Sequence, residues 1–216
     1  MSGLIVIGTD TGVGKTLVCA ALMAVHRTAT YWKPVQTGLD EESGDSQTVR
    51  DLARISAHRV LDRGVRLGLA ASPHFAAQQA VVAISTSVLQ QIWQQRDQTV
   101  PWIVEGAGGL LVPLTKADLL VDFLKLLQLP VLLVVSTRLG AINHALLTER
   151  ELARNQLPLL GFVLSGPPSP SLTSALQQHA RQPILAEIGQ VQGTATALRQ
   201  CGNTLMQHMI IARTLL

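Results

Sequence analysis

The sequence predicts an α/β fold, a mostly parallel sheet flanked by helices on both faces, and three observations carry that reading. Short apolar runs alternate with longer amphipathic stretches along the chain. The runs are continuous rather than alternating, as in VLLVV at residues 131–135 and LLGFVL at 159–164, which is how strands covered on both faces read. Gly or Pro bounds them, and each is too short for a helix. A ligand of such a sheet belongs beyond the carboxyl ends of its strands.

Strands are expected at residues 4–7, 31–35, 102–104, 131–135, 159–164 and 184–188. Helices are expected between them, at 15–26, 45–56, 75–95, 119–127, 143–155, 171–181 and 195–215. GLDEESG at 38–44 reads as a polar loop, and GPPSP at 166–170 as a rigid turn or as a loop lining a nucleotide base. No internal repeat and no long linker interrupts the series. With 216 residues, 47% hydrophobic and 14% charged, residues 1–216 are expected to form a single domain with a sizeable core.

Composition narrows the function classes. Seventeen Lys and Arg against 14 Asp and Glu give a formal charge of +3, and no window gathers the basic residues into a stripe. A solvated surface is therefore expected rather than a face for nucleic acid. The aromatic residues make up 3% of the chain and are too scattered in sequence for a base-stacking platform. Cys19 and Cys201 are expected as reduced thiols. The N-terminus lacks a basic region and a long apolar run, and no stretch of about 18 apolar residues occurs, so a cytoplasmic protein without a membrane segment is expected.

The strongest local feature opens the chain. LIVIGTDTGVGKT is an apolar strand running into a Gly-rich loop that ends in Gly14-Lys15-Thr16, followed by a helical stretch. Backbone N–H groups around Thr11, Gly12, Val13, Gly14 and Lys15 can converge on phosphate oxygens at a helix start, where the helix dipole favours negative charge. Lys15 would reach the outer phosphates and the Thr16 hydroxyl would ligate Mg²⁺. One position departs from the common G-x-x-x-x-G-K-[ST] pattern, with Thr9 in place of its first glycine and Gly8 one step early. The fold expected is thus P-loop NTPase-like.

Further polar residues stand at strand ends, all aimed at the same crevice in a parallel sheet. Lys33 ends the strand YWK and is fixed by Pro34, and a second ammonium there would stabilise charge developing on a transferring phosphoryl group. Thr37 leaves a hydroxyl free for a polar ligand. Glu105 ends the strand WIVE, where a buried carboxylate needs a cation or hydrogen-bond donors, so it reads as a Walker-B-type metal residue. Gly106, Ala107 and Gly108 follow it and let backbone approach a ligand. Asp45 reads equally as an N-cap or a metal ligand. Leu139, Gly140 and Asn143 open a helix whose N-terminus suits an anion such as a carboxylate, with His144 as a capping or packing residue.

GTDTGVGKT at residues 8–16, KPVQTG at 33–38, SPH at 72–74, EGAGGLLVPL at 105–114 and LGAINHALLT at 139–148 together resemble dethiobiotin synthetase of the biotin pathway, in that family's order and spacing over most of the chain. The resemblance implies a ligase dependent on ATP and Mg²⁺ that inserts CO₂ between the two amines of 7,8-diaminononanoate, through a carbamate and a carbamic-phosphoric anhydride. It implies Lys33 and Lys15 as catalytic residues, and Thr16, Asp45 and Glu105 at the metal. Residues 11–17 (with Leu17 closing the segment), Asp45, residues 105–108 and Ser165 would bind ATP, and Thr37, Leu139, Gly140 and Asn143 the substrate. It further implies a homodimer with the substrate carboxylate at the partner's helix start. Ser165 stands where family members often carry an Asn that reads adenine, so weaker base discrimination is expected.

Two other classes share the expected fold. A nucleotide-switched ATPase of the ParA/MinD type usually carries an extra lysine early in the loop, where this chain has Asp10. A cobyrinate-type amide-forming synthetase would need a glutamine-hydrolysing domain, which is not expected here.

Overall fold

The computed structural model describes residues 2–189, 195–208 and 213–215. Seven parallel strands form the sheet: β1 (Gly3–Gly8), β2 (Thr30–Trp32), β4 (Val60–Leu61), β6 (Trp102–Gly109), β7 (Val131–Ser136), β8 (Leu159–Ser165) and β9 (Ile184–Ile188), in the order β4-β2-β6-β1-β7-β8-β9. β3 (Val35–Gln36) and β5 (Val65–Arg66) make a separate parallel pair.

Both faces of the sheet are covered, and the strand side chains divide between them. Ile5, Ile7, Val104, Leu133 and Phe162 enter one core, against α3 (Pro73–Gln79), α4 (Thr86–Gln94), α5 (Leu120–Leu127), α6 (Ala141–Arg154) and α7 (Pro170–His179). Leu4, Val6, Ile103, Leu132 and Val163 enter the other, against α1 (Lys15–Val25), α2 (Asp45–Ala53) and α8 (Ala195–Gln207). Neighbouring residues of one strand are thus both buried, which is why the runs carry no polar alternation. No described helix is long and apolar enough to cross a membrane.

The structure departs from the sequence expectation in a few places. The stretch 75–95 is two helices, because Val81 takes a left-handed φ of 55° and breaks the run. The strand expected at 102–104 continues to Gly109, and the one at 31–35 ends at Trp32 before Pro34, which has no N–H for the ladder. The two-residue strands β3, β4 and β5 were not anticipated. The helix expected over 195–215 is described to Gln207, and residues 209–212 of that expectation lie outside the described residues.

Four of the seven aromatic residues, dispersed in sequence, gather in space. Trp32 stacks on Trp93 at 6.0 Å, with Trp102 and Phe123 edge-on to that pair. They are buried, so they offer no platform for bases. Cys19 and Cys201 are both free thiols, the first fully buried.

Candidate active site

β1 delivers the chain into the Gly-rich loop at the carboxyl edge of the sheet. Gly8 is the glycine this loop requires: a β-carbon there would stand 2.5 Å from Val13 Cγ2 and 2.8 Å from the Asp10 carbonyl oxygen. The loop closes over residue 8, and Thr9 keeps an ordinary strand contact, its N–H donating to Val134 O at 3.0 Å. The sequence departure therefore has a packing cause. Gly14, at φ 99°, caps α1 without any side-chain hydrogen bond, so the first N–H groups of α1 are open to an anion. Lys15 is buried and donates from Nζ to Asp10 O at 2.8 Å. Burial and the neighbouring Lys33 charge lower its pKa, against the opposing pull of Glu105 and Asp45.

β2 and β6 run side by side, with Tyr31 opposite Ile103 and Trp32 opposite Val104, which brings Lys33, just past the end of β2, beside Glu105 within β6. Lys33 Nζ lies 2.9 Å from Glu105 Oε1, 2.7 Å from Asp45 Oδ2 and 3.0 Å from Gly106 O. Burial alone would lower the Lys33 pKa, but the two carboxylates outweigh it and hold the ammonium above its ordinary value. Burial likewise works against the Asp45 carboxylate, yet Lys33 and the Thr16 hydroxyl bring its pKa below the usual value. Thr16 Oγ1 lies 2.8 Å from Asp45 Oδ1 and 3.1 Å from Glu105 Oε1. Lys15, Lys33, Asp45 and Glu105 thus form a charge-balanced group, which is what allows ions to sit this deep.

Among the described residues no three His, Cys, Asp or Glu side chains converge as a metal cluster. What does converge is one hydroxyl and two carboxylates, hard oxygen donors beside a phosphate loop. That set suits Mg²⁺, which takes its remaining ligands from water and phosphate.

These residues floor a cleft of about 810 Å³. Thr11, Gly12, Gly14, Lys15, Thr16 and Leu17 line it on the loop side, and Lys33, Thr37, Asp45, Glu105, Ala107 and Gly108 line it as well. The other expected residues stand elsewhere. Val13 is buried over Gly8, Gly106 contributes its carbonyl beneath the cleft, and Ser165 packs against Gly14. Leu139, Gly140 and Asn143 begin α6 at the end of β7 and are not part of the cleft lining within one chain. Leu139 is fully exposed there.

Two contributors were not anticipated. The Tyr31 hydroxyl, completely buried, donates to Glu105 Oε2 at 2.8 Å and fixes the carboxylate from behind. Gln36 Oε1 accepts from the Asp45 N–H at 3.0 Å and so sets the start of α2. Tyr31 lies outside the motifs and Gln36 lies inside KPVQTG with no role that its neighbours disclose, because each acts on a residue from another element.

A family model described as an AAA domain matches residues 2–196. The "ATP-dependent dethiobiotin synthetase BioD" of Paramagnetospirillum magneticum is 41% identical over 188 residues, which is 87% of this chain and 88% of that protein. That of Rhodopseudomonas palustris HaA2 is 41% identical over 91% of this chain and 90% of its own length. The chain belongs to the dethiobiotin synthetase family. A "Biotin biosynthesis bifunctional protein BioCD" of Bordetella avium is 44% identical over 88% of this chain, which spans 40% of that longer protein. Among solved structures, MinD of Pyrococcus furiosus gives a TM-score of 0.59 at 15% identity, covering 96% of this chain and 99% of that one. A ParA family ATPase of Chlorobium tepidum gives 0.57 at 11%, covering 99% and 95%. These two likenesses concern the P-loop fold alone. The dethiobiotin synthetase relatives therefore decide between the enzyme and the switch ATPase of the same fold.

Proposed function

We propose that this dethiobiotin synthetase forms dethiobiotin from 7,8-diaminononanoate, CO₂ and ATP, releasing ADP and phosphate, with residues 1–216 acting as one P-loop unit and the cleft above Lys33 as its centre. The observation that carries the proposal is the buried Lys33 ammonium, gripped by Asp45, Glu105 and the Gly106 carbonyl beside the open start of α1. A substrate amine adds to CO₂ and loses a proton, giving a carbamate. The carbamate oxygen then displaces ADP from the γ-phosphorus, and the second amine expels phosphate as the ureido ring closes. Activation by phosphoryl transfer needs positioning and cationic stabilisation rather than covalent chemistry by the protein.

The chain's residues divide that work. The N–H groups of residues 11–17 hold the phosphates, with Lys15 on the outer ones, while Lys33 faces the carbamate and the transferring phosphoryl group. Thr16, Asp45 and Glu105 hold Mg²⁺, which, when bound, supplies charge neutralisation at the phosphate oxygens. Thr37 meets the substrate, and Ser165 stands on the nucleotide side. The open N-terminus of α6 at Leu139, Gly140 and Asn143 receives the substrate carboxylate from a partner copy in a homodimer, supported by the uncapped Gly140 and the exposed Leu139. The reaction belongs in the cytoplasm, where ATP is available.

ADP release measured with diaminononanoate and bicarbonate, and with each omitted, tests the proposal. Release is expected only with both present, and release independent of them would instead favour a nucleotide switch. Lys33→Gln is expected to abolish product while sparing nucleotide binding, and wild-type turnover in that variant would remove Lys33 from the chemistry.

A further inference from the structure

The opposite end of the sheet carries a second charged cavity, of about 500 Å³. It opens beside Thr30, Val60 and Trp102, the first residues of β2, β4 and β6, whereas the cleft above lies at the strands' carboxyl ends. Arg27, Arg59, Arg63, Arg96 and His58 line it, and Asp97 is its one carboxylate. These arginines come from three segments, at residues 27, 59–63 and 96, so the sequence shows no basic stripe even though space brings them together.

Their charge exceeds that of the cavity's single carboxylate. None of the four arginines has an ion-pair partner among the described residues. Asp97 is occupied within its own turn, its Oδ1 accepting from the Thr99 N–H at 2.8 Å and from Thr99 Oγ1 at 2.6 Å. Arg59 and Arg96 are partly buried, and burial lowers the pKa of both. Partly desolvated cations without an ion-pair partner are held at a cost that a bound anion would relieve.

Two of the arginines, Arg59 and Arg96, are also fixed in place before any ligand arrives. Arg59 donates from Nε to Ala29 O at 3.0 Å and from Nη2 to the carbonyls of Ala29 and His26. The Arg96 guanidinium sits 3.7 Å from the centroid of the Trp93 ring and donates to Trp93 O at 2.8 Å. The buried indoles clamp the loops that carry the rest: Trp32 Nε1 donates to Arg63 O at 2.6 Å, and Trp102 Nε1 to Asp97 O at 2.7 Å. Arg27 makes no hydrogen bond or ion pair among the described residues and keeps its full fork of donors. Guanidinium forks match phosphate oxygens in pairs, and preorganised donors lose little on binding. Ile92 and Val100 give the same cavity an apolar wall against which an organic group can rest.

We propose that this cavity is a second anion site, separate from the catalytic cleft, for a small molecule bearing a diphosphate or triphosphate. Inorganic pyrophosphate and a nucleotide share that chemistry, and the two are separated by titrating each. The test is calorimetric titration of Lys15→Ala, in which the phosphate loop is blunted, against the same protein also carrying Arg27→Gln and Arg63→Gln. Both arginines are exposed, and melting curves of the variants are to be compared with the wild type to check that the fold is kept. The Lys15→Ala protein is expected to retain about one equivalent of pyrophosphate, with affinity falling about tenfold or more when the two arginines are replaced. Tighter binding of ATP than of pyrophosphate at this site would identify the nucleotide as the occupant. No binding to Lys15→Ala, binding indifferent to the arginine substitutions, or binding of duplex DNA alone would overturn the proposal.

Discussion

Ser165 occupies the space that a side chain at Gly14 would need. A β-carbon at residue 14 would stand 2.5 Å from Ser165 Oγ, and Gly14 itself takes a φ of 99°. The end of β8 and the last turn of the phosphate loop are thus fitted to one another across the sheet edge. Two separate constraints, one steric and one torsional, hold position 14 to glycine.

Gly14→Ala is expected to lose ATP affinity and to cost about 1–2 kcal/mol from the left-handed backbone alone. Adding Ser165→Gly relieves the clash but leaves the torsion. The double variant should therefore regain affinity while its melting temperature stays low. If Gly14→Ala alone binds ATP as the wild type does, the fit between residues 14 and 165 carries no functional weight.

The same placement bears on base choice. Ser165 has one hydroxyl and is turned toward Gly14, so it lacks the paired donor and acceptor that an amide offers to adenine. Competition by GTP and CTP against ATP is expected to be appreciable in the ADP-release assay. A strict preference for ATP would show that other groups read the base.

Tyr31 supports Glu105 from the core side, and its removal isolates a buried carboxylate oxygen. Tyr31→Phe is expected to cost about 1–3 kcal/mol in denaturant unfolding, the penalty for an unsatisfied buried acceptor. With Glu105 free to turn, the Mg²⁺ concentration needed for half-maximal ADP release should rise about tenfold. Unchanged stability and unchanged metal dependence together would leave the hydroxyl as packing only.

How far the sequence discloses this site depends on whether a role is local. The loop at residues 8–16, Lys33 before Pro34, and Glu105 before its glycines can each be read from a few adjacent residues, because strand, turn and helix follow one another in the chain. Tyr31 and Gln36 cannot be read that way: their partners lie 74 and nine residues on, and only the packing of elements selects them. Gly8 looks displaced in sequence, and the reason, Val13 folding back over it, exists only in three dimensions. The break at Val81 is hidden because apolar residues continue across it. Two-residue strands such as β3 and β5 are shorter than any period by which a strand is recognised. The four arginines of the second cavity are the same case, since convergence from three segments leaves no stripe.

His26 ties the turn after α1 to the end of the described chain and makes the fold sensitive to acid. Its Nδ1 accepts from the Ala29 N–H at 3.2 Å, which leaves Nε2 to donate to Leu215 O at 3.1 Å, so this geometry requires the neutral ring. Burial lowers the His26 pKa most, Arg59 lowers it further, and the Leu215 carbonyl only partly offsets them. A group depressed on folding takes up its proton first in the unfolded chain. Its contribution is therefore complete above about pH 6.5 and is lost as the pH falls toward the lower folded value. The melting temperature of the wild type should drop between about pH 7.5 and 5.5. His26→Gln, which can keep a donor and an acceptor but does not titrate, should drop less over the same interval. Parallel curves for the two proteins would place the acid sensitivity in other groups.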